Sequence, residues 1–178
     1  LVTTVNEGYS GLMEDTFSPD IREKLAANGC QVAEQVILDD RHEKITEAIG
    51  EMLDHGMDMV LCTGGMSVDP DDMTPLAIRN ATEQVVSYGA PVLPGAMFML
   101  AYTGDGRPVM GLPGCVMYAG RTIFDLVLPW ILAGIRVKEE MLSGMGQGGF
   151  CLGCRECHFP NCGFASAASM AFGRAEKS

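Results

Sequence analysis

Apolar residues are arranged along this chain in two ways, as short unbroken runs and as longer stretches in which they return at helical spacing. The runs at 1–5, 32–38 and 57–61 have the length and composition of buried strands. After the first of them, Ser18, Pro19 and Asp20 supply an N-cap, a first-position proline and an acidic first turn; Ile21 and Leu25 then share one face, and Gly29 ends the helix. Asp39 and Asp40 are expected to cap a second helix in which Ile45, Ile49 and Leu53 repeat in the same way, with Gly56 as the stop. A short helix is predicted over 75–80 and a strand over 83–87. Segments 97–102 and 108–112 flank Thr103, Gly104, Asp105, Gly106 and Arg107, the pattern of a hairpin. A last helix is expected after Gly114, carrying Tyr118, Ile123, Phe124, Val127, Leu128 and Ile131. Strands alternating with helices and followed by a hairpin predict an α/β fold: a three-layer α/β/α sandwich with a mostly parallel sheet and a late hairpin, plus a Cys-rich C-terminal tail.

Composition narrows the partners. The chain has 178 residues, room for one such domain and a tail. A net charge of −11 argues against nucleic acid and against an anionic membrane surface, so an anionic ligand needs a local site. The most apolar stretch, 123–135, is interrupted by Asp125 and Pro129 and is too short to span a bilayer. With no secretory signal visible, the expected location is cytoplasmic. Leu1 and Val2 read as the inside of a strand with no initiator Met, which suggests a piece of a longer protein. The 13 methionines suit an adaptable core.

The chemistry is expected where the third run breaks. The sequence there, 61–75, reads LCTGGMSVDPDDMTP: a strand, two glycines, a polar loop with acidic residues, then a helix. Ligands of open α/β sheets sit at the carboxyl ends of strands, where glycines let the backbone approach an anion. Thr74 is placed as N-cap with Pro75 at the first helical position, which sets Asp72 beside Gly64 and Gly65. A carboxylate next to an anion cradle predicts a cation, and a phosphate or pyrophosphate bridged by Mg²⁺ needs both. The plainer alternative is an ordinary turn followed by helix-capping aspartates. A second turn, Gly111, Leu112, Pro113, Gly114, also follows a strand and opens a helix, and the two turns are expected to face each other across one cleft.

The run TGGMSVDPDDMTP, followed by VLPGAMF and GLPGCVMYA and preceded in order by TTVNE, EDTF and LDDRHEK, resembles the molybdopterin-binding domain of molybdopterin adenylyltransferases and molybdopterin molybdenumtransferases. It covers roughly the first four fifths of the chain and looks more like the molybdenumtransferase core; competence-damage relatives share the DDxTP element. The resemblance implies that Asp72 holds Mg²⁺, and that Thr63, Gly64, Gly65 and Ser67, with Pro94, Gly95, Gly111, Pro113 and Gly114, hold molybdopterin or its adenylylated form. It places Glu7, Asp15 and Asp40 around the same pocket, and it implies a homo-oligomer, dimer or trimer. The reaction implied is molybdate insertion with loss of AMP, or adenylyl transfer from ATP. The open alternatives are a non-catalytic molybdopterin carrier or sensor and a nucleotide pyrophosphatase of the competence-damage type. Three positions depart from the family pattern: Val5 where a glycine is usual, Ala96-Met97 where Lys-Pro is frequent, and Cys115-Val116 where Asn-Pro follows the second turn.

The expected division is a molybdopterin-binding domain at 1–143 and a glycine-rich linker with a Cys-rich tail at 144–178. In the tail, Cys151, Cys154, Cys157 and Cys162 are spaced C-x2-C-x2-C-x4-C. In a reducing compartment that spacing predicts a soft-metal site, zinc or an iron–sulfur cluster, with His158 as a replacement ligand; the alternative is a reduced tail without metal. Cys30, Cys62 and Cys115 stand apart and are expected to be buried.

Overall fold

The computed structural model describes residues 1–5 and 18–166. Six strands form one sheet: β1 (Val2–Val5), β2 (Val36–Asp39), β3 (Val60–Thr63), β4 (Gln84–Tyr88), β5 (Met99–Tyr102) and β6 (Pro108–Leu112), in the spatial order β2-β1-β3-β6-β5-β4. The first four of that order run parallel, while β5 lies antiparallel between β6 and β4. The hairpin β5–β6 is the expected one, and its tip turns where Gly106 adopts a left-handed backbone.

Strand pleating divides the core. From β5, Leu100 and Tyr102 point to one side of the sheet and Met99 and Ala101 to the other; Leu61 of β3 opposes Val60 and Cys62 in the same way. The helices α1 (Ser18–Ala27), α4 (Ile123–Leu132) and α5 (Glu139–Gly144) cover the first side through Ile21, Phe124 and Leu142. On the second side α2 (His42–Asp54) and α3 (Thr74–Asn80) pack Ile45, Ile49 and Ile78. Helices on both faces of a mostly parallel sheet make the expected three-layer sandwich.

Four local details differ from the sequence reading. The second strand begins at Val36, not at residue 32, since only 36–39 find partners on β1. Asp39 does not cap α2: it holds the guanidinium of Arg41 and the ammonium of Lys44, and the N-cap position belongs to Arg41. The helix expected after Gly114 is two pieces, a 3-10 turn at Gly114–Met117 and α4 from Ile123. The break is enforced by Thr122 and Asp125, which form a reciprocal capping box and start a new helix. Finally, the glycine-rich stretch after α5 is a 3-10 turn, Met145–Gln147, with Met145 in the core and Gly146 against Pro91. Among the described residues no helix is long and apolar enough to cross a membrane.

Candidate functional site

The carboxyl end of β3 leads straight into Gly64 and Gly65, both with left-handed backbone, φ +80° and +53°. Neither position tolerates a side chain. A Cβ on Gly64 would lie 2.2 Å from the Thr4 carbonyl oxygen, and one on Gly65 would lie 2.9 Å from Thr74 Oγ1. Thr74 does not cap α3 as expected; its hydroxyl reaches back and donates to the Gly64 carbonyl at 2.9 Å, which ties the helix start to the glycine turn. Beyond the turn, Asp72 folds over its own loop, its Oδ2 accepting both the backbone N–H of Ser67 and the Ser67 hydroxyl, the latter at 2.8 Å.

Two adjoining hollows result. A small one of about 50 Å³ is lined by Thr4, Asp40, Gly65, Asp72 and Met73, so Asp40, the residue after β2, and Asp72 of the acidic loop border one space. A larger cleft of about 780 Å³ receives Met66 and Ser67 from the same turn, Pro94 and Gly95 from the loop before β5, and Pro113 and Gly114 from the loop after β6. The second glycine turn lines this cleft through Pro113 and Gly114, whereas the first reaches it only through Met66 and Ser67: Gly65 borders the small hollow, and Gly64 borders neither. Gly95 has φ +121°, and a Cβ there would meet Ile123 at 2.6 Å, so its backbone is pressed against the start of α4.

Other expected residues are elsewhere. Thr63 is fully buried, its hydroxyl directed at Thr3 Oγ1 and the Val2 carbonyl. Gly111 is a buried position of β6 that does not line the cleft, and a Cβ there would strike Met66 at 2.5 Å, so its bare backbone makes room for the Met66 side chain. Glu7 and Asp15 lie outside the described residues. Cys115 does line the cleft, and burial raises its thiol above the ordinary value. Cys62 is an apolar core residue whose thiol is pushed up to about 12 by burial.

The cleft is walled largely by apolar groups, and none of its described lining residues is Lys or Arg. The nearby cations are committed to structure: Lys24 and Arg121 both pair with the buried Asp125, at 2.8 and 3.0 Å, just beyond the second glycine turn. Sequence reasoning missed one wall entirely. Phe150, Cys151 and Leu152 border the cleft, with the Cys151 N–H donating to the Leu93 carbonyl at 3.0 Å. Nothing in local spacing signals this contact, because it depends on where α5 delivers the tail.

The four tail thiols line a separate hollow of about 410 Å³ together with His158, Arg121 and Phe159. They are not drawn into a cluster: among the described residues no group of three or more His, Cys, Asp and Glu is placed to hold a metal ion. Cys154, Cys157 and Cys162 are exposed and Cys151 half-buried. A backbone hydrogen bond from Phe159 and the Arg121 guanidinium hold the Cys157 thiol below its ordinary value.

Residues 1–133 match the family model described as a probable molybdopterin binding domain. The chain belongs to that family. A molybdopterin adenylyltransferase of Pyrococcus furiosus is 30% identical over 89 residues, 50% of this chain and 52% of the relative. A CinA-like protein of Mycobacterium avium is 31% identical over 74 residues, 42% of this chain and 17% of that one. The chain thus spans about half the length of the first relative and a small part of the second. Among solved structures, the molybdopterin biosynthesis enzyme MoaB of Thermus thermophilus aligns with a TM-score of 0.61 at 23% identity, over 80% of this chain and 94% of that one. The Mog protein of Mycobacterium ulcerans gives 0.60 at 19% identity, over 75% and 93%. These structural likenesses establish a shared fold, and the family match places the molybdopterin-binding unit on the segment that carries both glycine turns.

Proposed function

We propose that the cleft binds molybdopterin or adenylylated molybdopterin and that the protein inserts molybdate into it with release of AMP. The observation that carries this reading is the convergence of Met66-Ser67, Pro94-Gly95 and Pro113-Gly114 on one cleft, beside a hollow shared by Asp40 and Asp72. The reading puts Mg²⁺ in that hollow because Asp40 and Asp72, two residues with oxygen-donor carboxylates, border its roughly 50 Å³. Asp72 and Asp40 would hold the ion, which when bound neutralises phosphate and molybdate charge. Ser67 positions Asp72 through two hydrogen bonds to one oxygen. The apolar walls of the open cleft offer the flat pterin a surface to pack against.

Residues 1–143 form the pterin-handling unit in this reading and 144–178 an appended tail whose thiols take zinc or an iron–sulfur cluster. A homo-oligomer, dimer or trimer, and a cytoplasmic location belong to the same proposal, supported by the family alone. A second reading, a non-catalytic molybdopterin carrier, is favoured by the lack of Lys and Arg among the cleft's described lining residues.

Incubation with adenylylated molybdopterin, molybdate and Mg²⁺ tests the proposal. Molybdenum retention with stoichiometric AMP release, abolished in Asp72→Asn, supports insertion. Tight pterin binding without AMP release selects the carrier, and hydrolysis of ADP-ribose in place of either selects a pyrophosphatase.

A further inference from the structure

We propose that the tail loop is a single-ion site for a thiophilic divalent metal of the zinc type, and that filling it fixes the Phe150–Leu152 wall of the neighbouring cleft. Four thiols and an imidazole, Cys151, Cys154, Cys157, Cys162 and His158, border one hollow of about 410 Å³. Their chemistry is that of zinc, which takes four thiolates, or three thiolates and one imidazole, in a tetrahedron.

The thiols are not gathered in this structure, so filling the site requires the loop to close around the ion. Its ends are clamped: Gly149 and Phe164 form an isolated bridge, with Gly149 N–H donating to Gly163 at 2.8 Å and Ala165 N–H donating to Gly149 at 2.9 Å. Glycines make that clamp possible, since a Cβ on Gly148 would lie 2.4 Å from Ala165 and one on Gly149 2.9 Å from the Gly163 carbonyl. Between the clamped ends no helix or strand occurs from Cys151 to Gly163. A loop of that length without regular structure in a compact domain calls for another source of order, and a metal whose binding is coupled to local folding supplies it. The ends already being joined, gathering the thiols costs only the entropy of a short closed loop.

A second layer is present as well. Arg121 hydrogen-bonds the Cys157 sulfur and lies 4.9 Å from the Phe159 ring centroid, while Asp125 anchors its guanidinium at 3.0 Å. A fixed cation beside a thiolate offsets the negative charge of a tetrathiolate site and orients the ligand. Cys151 belongs to both hollows, so its capture by an ion is mechanically tied to Phe150 and Leu152 on the cleft side. Binding is a proton exchange: each ligating thiol loses its proton to solvent as its sulfur joins the ion, with no change of oxidation state.

The experiment uses the full chain, stripped with chelator and kept anaerobic and reduced, with Co²⁺ as the probe. One Co²⁺ per chain is expected, with thiolate charge-transfer absorption and tetrahedral d–d bands, displaced by Zn²⁺. The bands should be lost in Cys154→Ser and Cys162→Ser and kept in Cys30→Ser, each variant checked for native circular dichroism. Zn²⁺ should slow amide exchange over 150–152 in the unaltered chain and leave it unchanged in Cys154→Ser. Absence of stoichiometric binding, disulfides among the tail cysteines of freshly reduced protein, or iron with acid-labile sulfide in protein isolated without chelator would overturn the single-ion site. Binding without slower exchange at 150–152 would overturn its tie to the cleft wall. No cleft ligand enters these measurements, so their failure is distinct from failure of the molybdopterin reading.

Discussion

Gly64 is the residue whose replacement tells most about the site. At φ +80° an alanine is strained, and its Cβ would stand 2.2 Å from backbone of β1, which cannot swing aside as a side-chain tip can. Gly64→Ala should therefore cost at least about 2 kcal/mol in urea unfolding and displace the glycine turn from Thr74. A surface pair gives a contrasting, pH-dependent effect. His55 lies 2.9 Å from Glu34, and this hydrogen bond, with the carboxylate's charge, raises the imidazole above its ordinary 6.5. The folded value exceeds the unfolded one, so the contribution is fully present below pH 6.5 and disappears as pH rises through the raised folded value. The urea midpoint of His55→Gln should fall below that of the unaltered chain at pH 5.5 and coincide with it near pH 9. Both groups are exposed, so the difference is small. At this scale the sequence was informative where backbone demanded glycine and silent where side chains chose among partners: Gly64 and Gly65 stood out, whereas Asp39 as an ion-pair acceptor and Thr74 as a back-bonding hydroxyl depend on Lys44 and Gly64 arriving beside them.

Elements were legible in proportion to how local their causes are. The central strands are plain in the sequence because burial on both faces leaves little but apolar residues, as in the parallel β3 and the antiparallel β5. The hairpin was equally plain from its turn residues. A start at Val32 is not separable in the sequence from one at Val36, since Val32 is apolar and packs against the core although only Val36 onward pairs with β1. Nothing local marks the break between the second glycine turn and α4, because Thr122 and Asp125 look ordinary among apolar neighbours. Their importance is tertiary: Asp125, 5% exposed, receives Lys24 from α1 and Arg121, and also completes the cap of α4. Removing its charge leaves Lys24, 13% exposed, beside a neutral partner. Asp125→Asn should destabilise the fold by about 2–3 kcal/mol in urea titration, the penalty of a broken, partly buried pair. Lys24→Met in the same background should recover part of that loss, because it removes the stranded charge.

On the scale of the whole molecule, the tail and the sandwich share a core, and this is what the sequence could not reveal. Glycine density after α5 reads as slack, yet the glycines serve close approach: Gly146 lies against Pro91, and Gly148 and Gly149 against the chain at 163–166. Met145, Phe164 and Ala165 are 1%, 5% and 3% exposed within the layer formed by α1, α4 and α5. The proposed boundary at residue 143 therefore separates roles more sharply than it separates packing. A chain ended there keeps all six strands and both glycine turns but strips a methionine and a phenylalanine from the core, each worth about 1.5–3 kcal/mol of burial. It should still unfold in one cooperative transition, with a stability lower by about 3–5 kcal/mol and a smaller urea dependence, since less surface is exposed on unfolding. Two resolved transitions in the full chain, with residues 1–143 as stable alone as within it, would instead make the tail an independent unit resting on the cleft. Because Phe150, Cys151 and Leu152 leave with the tail, the shortened chain would also separate what the glycine turns bind by themselves from what the full cleft holds.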